Sequence, residues 1–294
     1  MDQILINKCG FQLLNKKGGK FTSRDERLLS VIAAQAAISI ENARLYEQEI
    51  SQRLVAQELD TARRIQISFL PQTVPSLPGW EISAVWQPIS SVAGDYFDFY
   101  HLPDGRLGLV IADVSGKGVP AALFMALSVT VLRFAMSLGL APAELMTRAN
   151  NLIMADQRSN MFATTFIGYL EASTGTMKFA SAGHNPPILY RSRAQTCQYL
   201  EAPGVALGVF PDPLFEERCE TIEPGDVLVL YTDGITEAID EKGDEFGEDR
   251  LEAITSLYFE CSAQEIKDRI LEAVTRFSGG TVIDDETLIV VKRL

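Results

Sequence analysis

Four aspartates sit in short motifs spread along the chain: Asp95 in GDYFD, Asp113 in IADVSGKG, Asp233 in YTDG and Asp284 in DDETLIV. Each stands at the start or end of an apolar run that reads as a buried strand. Carboxylates at strand ends are placed to converge on one edge of a sheet. Gathered there, they repel one another unless cations neutralise them. Hard dications such as Mg²⁺ and Mn²⁺ take oxygen ligands, so the pattern points to an all-carboxylate metal site. Metal-assisted chemistry on phosphate is the reaction class such a site serves.

The elements that must position these groups follow from the pattern of apolar runs. After Trp80 come three consecutive β-rich stretches, WEISAVWQP, GDYFDFYHL and RLGLVIADV, with PDG as the turn between the second and third. Helices are predicted over 119–138 and 142–157, the second opened by Pro142. Strands resume at MFATTFIGYLE and TMKFASAG, joined by STG, and continue at PPILYRS, TCQYLE, ERCETIE and DVLVLYTD. Helices near 248–258 and 264–277 and a last strand, ETLIVVKR, follow. Strand blocks interrupted by helix blocks predict an α+β fold of two sheets with helices outside, not a doubly wound parallel sheet.

The first part of the chain reads differently. A short apolar stretch and a KKGGKF turn lead to N-cap and first-turn signals at Thr22-Ser23-Arg24-Asp25-Glu26. A helix then runs to about Phe69, where Pro71, Pro75 and Pro78 stop it and mark a boundary. Along its second half Ile50, Leu54, Val55, Leu59, Ala62, Ile65 and Phe69 keep mostly three- and four-residue steps. Two readings stand side by side: a stripe that pairs with a second copy of the chain, or one amphipathic helix lying on its own domain.

Composition narrows the function classes. The chain has 294 residues, 47% of them hydrophobic and 22% charged, which is a globular balance. A net charge of −13 argues against nucleic acid and against a basic membrane-binding face. It also requires local cations to draw in a phosphorylated substrate. Cys9, Cys197, Cys219 and Cys261 form no CxxC, and His101 and His184 are too few for a zinc cluster, so idle thiols in a reducing cytosol are expected. The polar start lacks a signal-peptide pattern. Val119 to Leu140 is long enough for a membrane span, but Arg133 within it and Pro120 near its start favour a helix buried between layers of a domain.

Two resemblances attach to these motifs. FQLLNKKGGKFTSRDERLLSVIAAQAAISIENARLYEQE resembles the last strand and C-terminal helix of a GAF domain. That implies a partial GAF-like segment over 1–48, too short to wrap a ligand, and a helical linker over 49–72. Residues 73–294 resemble the PPM family of metal-dependent protein serine/threonine phosphatases, in its bacterial SpoIIE/RsbU branch. The blocks that carry the likeness are SSVAGDYFDFY, GLVIADVSGKGVPAALFMA, MFATTFIG, SAGHNPP, GVALGVF, VLVLYTDGITEA and DDETLIVV. The family's fold is an α-β-β-α sandwich, with two Mn²⁺ or Mg²⁺ ions at one edge of the paired sheets.

By that resemblance Asp113 bridges both metals and the Val114 carbonyl adds a ligand. Asp233 and Asp284 hold the second metal, and Asp95 completes the cluster directly or through water. Asp284 rather than Asp285 matches the family's ligand, and strand alternation sends such neighbours to opposite sides. A metal-activated water then attacks phosphoserine or phosphothreonine with no enzyme nucleophile. Gly94, Gly116, Gly118 and Gly234 flank the ligands and permit close backbone approach. Lys117 either contacts phosphate or the acidic cluster, or is simply solvated. His184 either gives a proton to the leaving serine or fixes its own turn. No residue matches the phosphate-binding arginine of the eukaryotic branch, which leaves more of substrate docking to the partner protein's surface.

The resemblance implies an enzyme acting on a STAS-type anti-sigma-factor antagonist, and a cytoplasmic one is expected. Because helix 119–138 directly follows the Asp113 loop, helix 28–69 is expected to dimerise and control its displacement. The competing readings are a non-catalytic pseudophosphatase scaffold, a GAF-linked regulatory binding module, and a phosphoesterase acting on nucleotides.

Overall fold

The computed structural model describes residues 3–7, 10–14, 19–156 and 160–294. It divides into two compact units, Met1–Asp60 and Thr61–Leu294. In the first, β1 (Gln3–Asn7) and β2 (Gly10–Leu14) form an antiparallel hairpin, followed by α1 (Ser23–Phe69), which continues into the second. Residues 15–18, which hold most of the KKGG turn, and Cys9 lie outside the described residues, as does Gln157 at the end of the helix expected over 142–157. The helix runs unbroken across residue 48, where the sequence suggested a boundary, and ends at Phe69, two residues before Pro71. Asp25 caps its start by accepting from the Thr22 N–H at 2.7 Å.

The second unit is built in four layers. Its strands are β3 (Trp80–Gln87), β4 (Tyr96–His101), β5 (Leu107–Val114), β6 (Ala163–Leu170), β7 (Thr176–Ala182), β8 (Ile188–Arg191), β9 (Thr196–Tyr199), β10 (Arg218–Thr221), β11 (Val227–Tyr231) and β12 (Glu286–Arg293). One sheet has the order β10-β7-β6-β5-β4 and the other β3-β12-β11-β8-β9, with antiparallel pairing throughout. The helices are α2 (Val119–Ser137), α3 (Pro142–Asp156), α4 (Asp233–Thr236), α5 (Gly247–Tyr258) and α6 (Ala263–Phe277).

Period-two alternation assigns each strand face to a different layer. Along β5, Leu107, Leu109 and Ile111 enter the core between the sheets, with Phe166, Leu228, Leu230, Ile289 and Val291. Val110, Ala112 and Val114 point the other way, into a core shared with Phe124, Met125, Leu132 and Met136 of α2 and with Leu145 and Met146 of α3. Along β11, Val227, Val229 and Tyr231 face Leu251 of α5 and Ile266, Ile270 and Val274 of α6. Both faces of the central strands are buried, which is why their sequences read as continuous apolar runs rather than alternating ones. Each such side chain, taken fully out of water, contributes roughly 1.5–3 kcal/mol. The result is an α-β-β-α sandwich of the α+β class.

Helix α2 is long and apolar enough, by length and composition, to cross a membrane. In the fold its inner face belongs to the core just described, and Arg133 within it is paired. The guanidinium donates to both carboxyl oxygens of Asp98, at 2.6 and 3.0 Å, and to the Phe69 carbonyl at 2.7 Å. Asp98 lies on β4 and is 3% exposed. Arg133 thus ties the end of α1, the C-terminal half of α2 and a strand of the first sheet together. The outer face of α2 leaves Val119, Leu123, Leu127 and Phe134 exposed.

A candidate site at the sandwich edge

The register of the strands decides which aspartates meet. Tyr96 pairs with Ala112 at one end of the β4–β5 ladder, so Asp95 and Asp113, one residue further on, emerge opposite each other. Tyr231 pairs with Leu288 at one end of the β11–β12 ladder, beyond which lie Asp233, as the first residue of α4, and Asp284. The first pair belongs to one sheet and the second pair to the other, and the stacking of the sheets brings the pairs together.

The electrostatics record that meeting. Burial raises the Asp95 carboxyl well above its ordinary value, and the charge of Asp113 and a hydrogen bond with it raise it further. Asp113 is raised by burial and by the charge of Asp284, with partial relief from its bond to Asp95. Asp233 is pushed up to about 6 by burial, then by Asp113, Glu237 and Asp284. Lys117 closes the ring. Its ammonium stands 2.8 Å from Asp284 and donates to the Ile283 carbonyl at 3.0 Å, although the side chain is 62% exposed. Of the three roles open to this lysine, contact with the acidic cluster is the one the structure displays.

Asp284 and Asp285 take different partners, and strand alternation is not the reason, because both precede the first residue of β12. Backbone capture divides them. Asp285 is buried and accepts from the main-chain N–H groups of Ile89 at 2.8 Å and Gly94 at 3.0 Å. Asp284 stays at the rim with Lys117.

Close approach explains two of the glycines. A Cβ at Gly94 would lie 2.8 Å from the Val114 carbonyl oxygen, and one at Gly234 would overlap the Asp285 carbonyl oxygen. The Val114 carbonyl oxygen thus lies against Gly94, the residue before Asp95, while the Val114 N–H serves the Asp113 carboxylate.

His184 is a fixed structural group. It is buried, its main-chain N–H donates to the Ser181 hydroxyl at 3.2 Å, and its Nδ1 lies 3.0 Å from the Thr164 hydroxyl. Burial pushes its pKa down to about 4, which favours the neutral imidazole at physiological pH. Thr164 pairs with Asp113 across β5–β6, so this turn braces the strand end.

Several contributors were not singled out in the sequence. Gln66 of α1 is buried and makes a reciprocal pair with the Ala93 peptide, donating to its carbonyl at 2.6 Å and accepting from its N–H at 3.0 Å. The Trp86 indole donates to the Asp95 carbonyl at 2.9 Å. Thr232 bonds to Asp95 and accepts from the Thr287 N–H at 3.1 Å. A polar residue on the inner face of a helix, as at Gln66, is the signal that was available in the sequence.

Whether these donors fit a pair of dications can be judged from their chemistry. All are hard oxygens, their charges raise one another's proton affinity, and Asp95 Oδ2 is buried with no hydrogen-bond partner. Such a cluster accepts positive charge from protons or from Mg²⁺ or Mn²⁺ alike. The side chains are gathered but not in coordination geometry: among the described residues no group of three or more His, Cys, Asp or Glu is arranged to hold a metal ion. The Lys117 ammonium engages one Asp284 oxygen that such an ion would need.

A stability prediction follows from the sign of these shifts. Asp233 binds its proton more tightly folded than unfolded, so its protonation favours the folded state and that advantage disappears as pH rises through about 6. With chelator present, the melting temperature is expected to rise as pH falls from 7 to 5. Mn²⁺ added at pH 7 is expected to raise it as well. A melting temperature that drops over that pH interval contradicts the picture.

The sequence model of the family described as Stage II sporulation protein E (SpoIIE) matches residues 103–294. The chain belongs to the SpoIIE family. The matched span contains Asp113, Asp233 and Asp284, while Asp95 lies before it. Among curated SpoIIE-like relatives, the phosphoserine phosphatase RsbU of Bacillus subtilis is 30% identical over 82% of this chain and 72% of its own length. Protein IcfG of a Synechocystis strain is 31% identical over 85% of this chain, which spans only 43% of that protein. Among solved structures, the RsbU and RsbW domains of Rv1364c from Mycobacterium tuberculosis align with a TM-score of 0.65 and 29% identity, covering 76% of this chain and 63% of that one. The SiaA-PP2C domain of Pseudomonas aeruginosa aligns with a TM-score of 0.73 over 83% of this chain and 98% of its own, at 20% identity, and so speaks for the fold alone.

Proposed function

We propose that this SpoIIE-family chain is a metal-dependent phosphoprotein phosphatase that hydrolyses phosphoserine or phosphothreonine. The observation that carries the reading is the convergence of Asp95, Asp113, Asp233 and Asp284 from two sheets on one edge, each of the first three with its carboxyl raised. Its relative RsbU is named a phosphoserine phosphatase, and so is RsbP of Bacillus subtilis.

In this reading Asp113, with the Val114 carbonyl, Asp233, Asp284 and Asp95 hold two Mn²⁺ or Mg²⁺ ions. Such ions supply charge stabilisation for phosphoryl oxygens and lower the pKa of a water that attacks at neutral pH. The chain's own residues do the rest. Asp113, rooted in a paired strand, fixes the centre of the cluster. Lys117 meets incoming phosphate at the rim, where it offsets part of the overall negative field. His184 braces its own turn through Ser181 and Thr164. With no arginine clamp in the motif set, recognition falls mainly on the surface of the protein substrate. A STAS-type anti-sigma-factor antagonist in the cytoplasm is the substrate class we assign.

We assign the domains as a partial GAF-like segment over 1–48, a helical linker over 49–72 and the phosphatase domain over 73–294. Helix α1 serves as the regulatory element. Leu28, Val31, Ile38, Leu45, Ile50, Leu54 and Val55 are all exposed along it, a row suited to pairing with a second copy. Near its end Gln66 and the Phe69 carbonyl touch the Asp95 loop and Arg133 of α2, so movement of the helix end reaches the site. Leu54→Glu is expected to shift the mass seen by light scattering from dimer to monomer; an unchanged mass removes the pairing role.

The enzymatic reading is tested by phosphate release, with Mn²⁺ and with chelator, from a phosphoserine protein and from nucleotides. Release from the phosphoprotein only, and only with metal, is expected. Metal-dependent release from nucleotides alone would assign a different phosphoesterase, and no release from either would leave a pseudophosphatase scaffold.

A further inference from the structure

Residue 285 touches three of the four segments that carry the site aspartates. Its carboxylate accepts from Ile89 and Gly94, at either end of the loop that delivers Asp95. Its main-chain N–H donates to the Asp284 carboxylate at 2.9 Å. Its carbonyl oxygen accepts from the Thr232 hydroxyl at 3.5 Å and lies where a side chain on Gly234 would have to be, against the first turn of α4 that begins with Asp233. Nothing in the motif set gave this residue a task beyond standing next to Asp284.

An acid at this position is unfavourable in isolation. It is buried, with Asp284 and Asp113 as like-charged neighbours. What an acid offers in return is two acceptor oxygens at once. An asparagine could keep the bond from Ile89 but would turn an NH₂ toward the Gly94 N–H, donor against donor. The peptide before Asp95 is also gripped from the other direction by Gln66 through Ala93, and the Asp95 carbonyl is held by Trp86. With the backbone of residues 93–95 fixed at successive positions, little freedom remains for the direction in which the Asp95 side chain leaves the chain.

We infer that Asp285 is a positioning residue: its buried carboxylate clamps the Ile89–Gly94 loop so that Asp95 is presented to Asp113. This inference rests on the reading of Asp95 as part of a metal site. It assigns Asp285 no contact with metal or phosphate. Groups that orient ligands without touching the metal typically govern affinity or activity by ten- to a hundredfold.

The test uses the full chain carrying Asp285→Ala or Asp285→Asn, with Mn²⁺ binding followed by calorimetry and turnover followed with para-nitrophenyl phosphate. Both variants are expected to bind Mn²⁺ about ten- to a hundredfold more weakly. At limiting Mn²⁺ kcat should fall by a similar factor with KM unchanged, and saturating Mn²⁺ should restore most of it. Amide exchange at Ile89 and Gly94 should accelerate in Asp285→Ala. Should that variant fail to fold, the nearly isosteric Asp285→Asn carries the same measurements. Wild-type affinity and kcat in a folded variant overturn the inference. So does loss of a bound Mn²⁺ that excess metal cannot restore, since that makes Asp285 a ligand. A wild-type chain that binds no Mn²⁺ instead defeats the metal-site reading itself, a result distinguishable from either.

Discussion

Asp113→Asn is expected to lower kcat on a phosphoserine protein by about a thousandfold, which corresponds to roughly 4 kcal/mol of lost transition-state stabilisation. The size follows from its place. Asp113 is the residue to which the shifts of Asp95, Asp233 and Asp285 all respond. In the proposed site it serves both ions, so a neutral amide there weakens the whole cluster rather than one ligand bond. Folding should survive, because removing one charge from a crowded acidic cluster relieves repulsion. The expected pattern is therefore an inactive protein whose melting temperature in chelator is equal to or above that of the wild type. Substantial activity in Asp113→Asn would refute the site assignment; inactivity with a collapsed melt would make the residue structural.

The second large effect concerns stability. Arg133→Met leaves Asp98 buried on β4 without its bidentate partner and frees the Phe69 carbonyl. Breaking a buried pair by removing one member costs about 3–5 kcal/mol. The Arg133 side chain is 37% exposed, so water replaces part of what is lost and the lower end applies. A loss of about 3 kcal/mol lowers the melting temperature by roughly 6–12 °C in a domain of this size. Adding Asp98→Leu to Arg133→Met removes the stranded charge and should recover much of the loss. If the double variant melts no higher than the single one, desolvated charge is not the cause. Thermal melts of the two variants beside the wild type decide it. Because the same arginine holds the end of α1, the single variant is also expected to loosen whatever control that helix exerts on the site.

Much of this was legible in the amino-acid order because it depends on local physics. Buried strands announce themselves as short apolar runs, and α6 carries its own start signal in the reciprocal Ser262–Glu265 capping box. The alternation of strand and helix blocks required two sheets covered by helices, and the aspartates stood at run ends that the sheets then gathered on one edge. Even the apolar helix with a membrane-like composition was readable, through the arginine it contains. Along α1 the same signals located a long helix but not what its apolar residues meet.

What the tertiary structure decided are the partnerships between residues far apart in the chain. Local pattern could say that Asp284 and Asp285 differ, but not that Ile89 and Gly94, some 190 residues earlier, make the difference by offering two N–H groups to one carboxylate. Nor could it pair Asp98 with Arg133, place Gln66 on Ala93, or show that burial drives His184 to its neutral form. Hydrogen bonds and desolvation depend on which surfaces stack, and stacking is settled by the summed burial of three apolar layers rather than by any one segment. The order of residues therefore specified the kind of groups and the strand ends that carry them. The packing of two sheets determined which acid stands at the rim with Lys117 and which is committed to the N–H groups of Ile89 and Gly94.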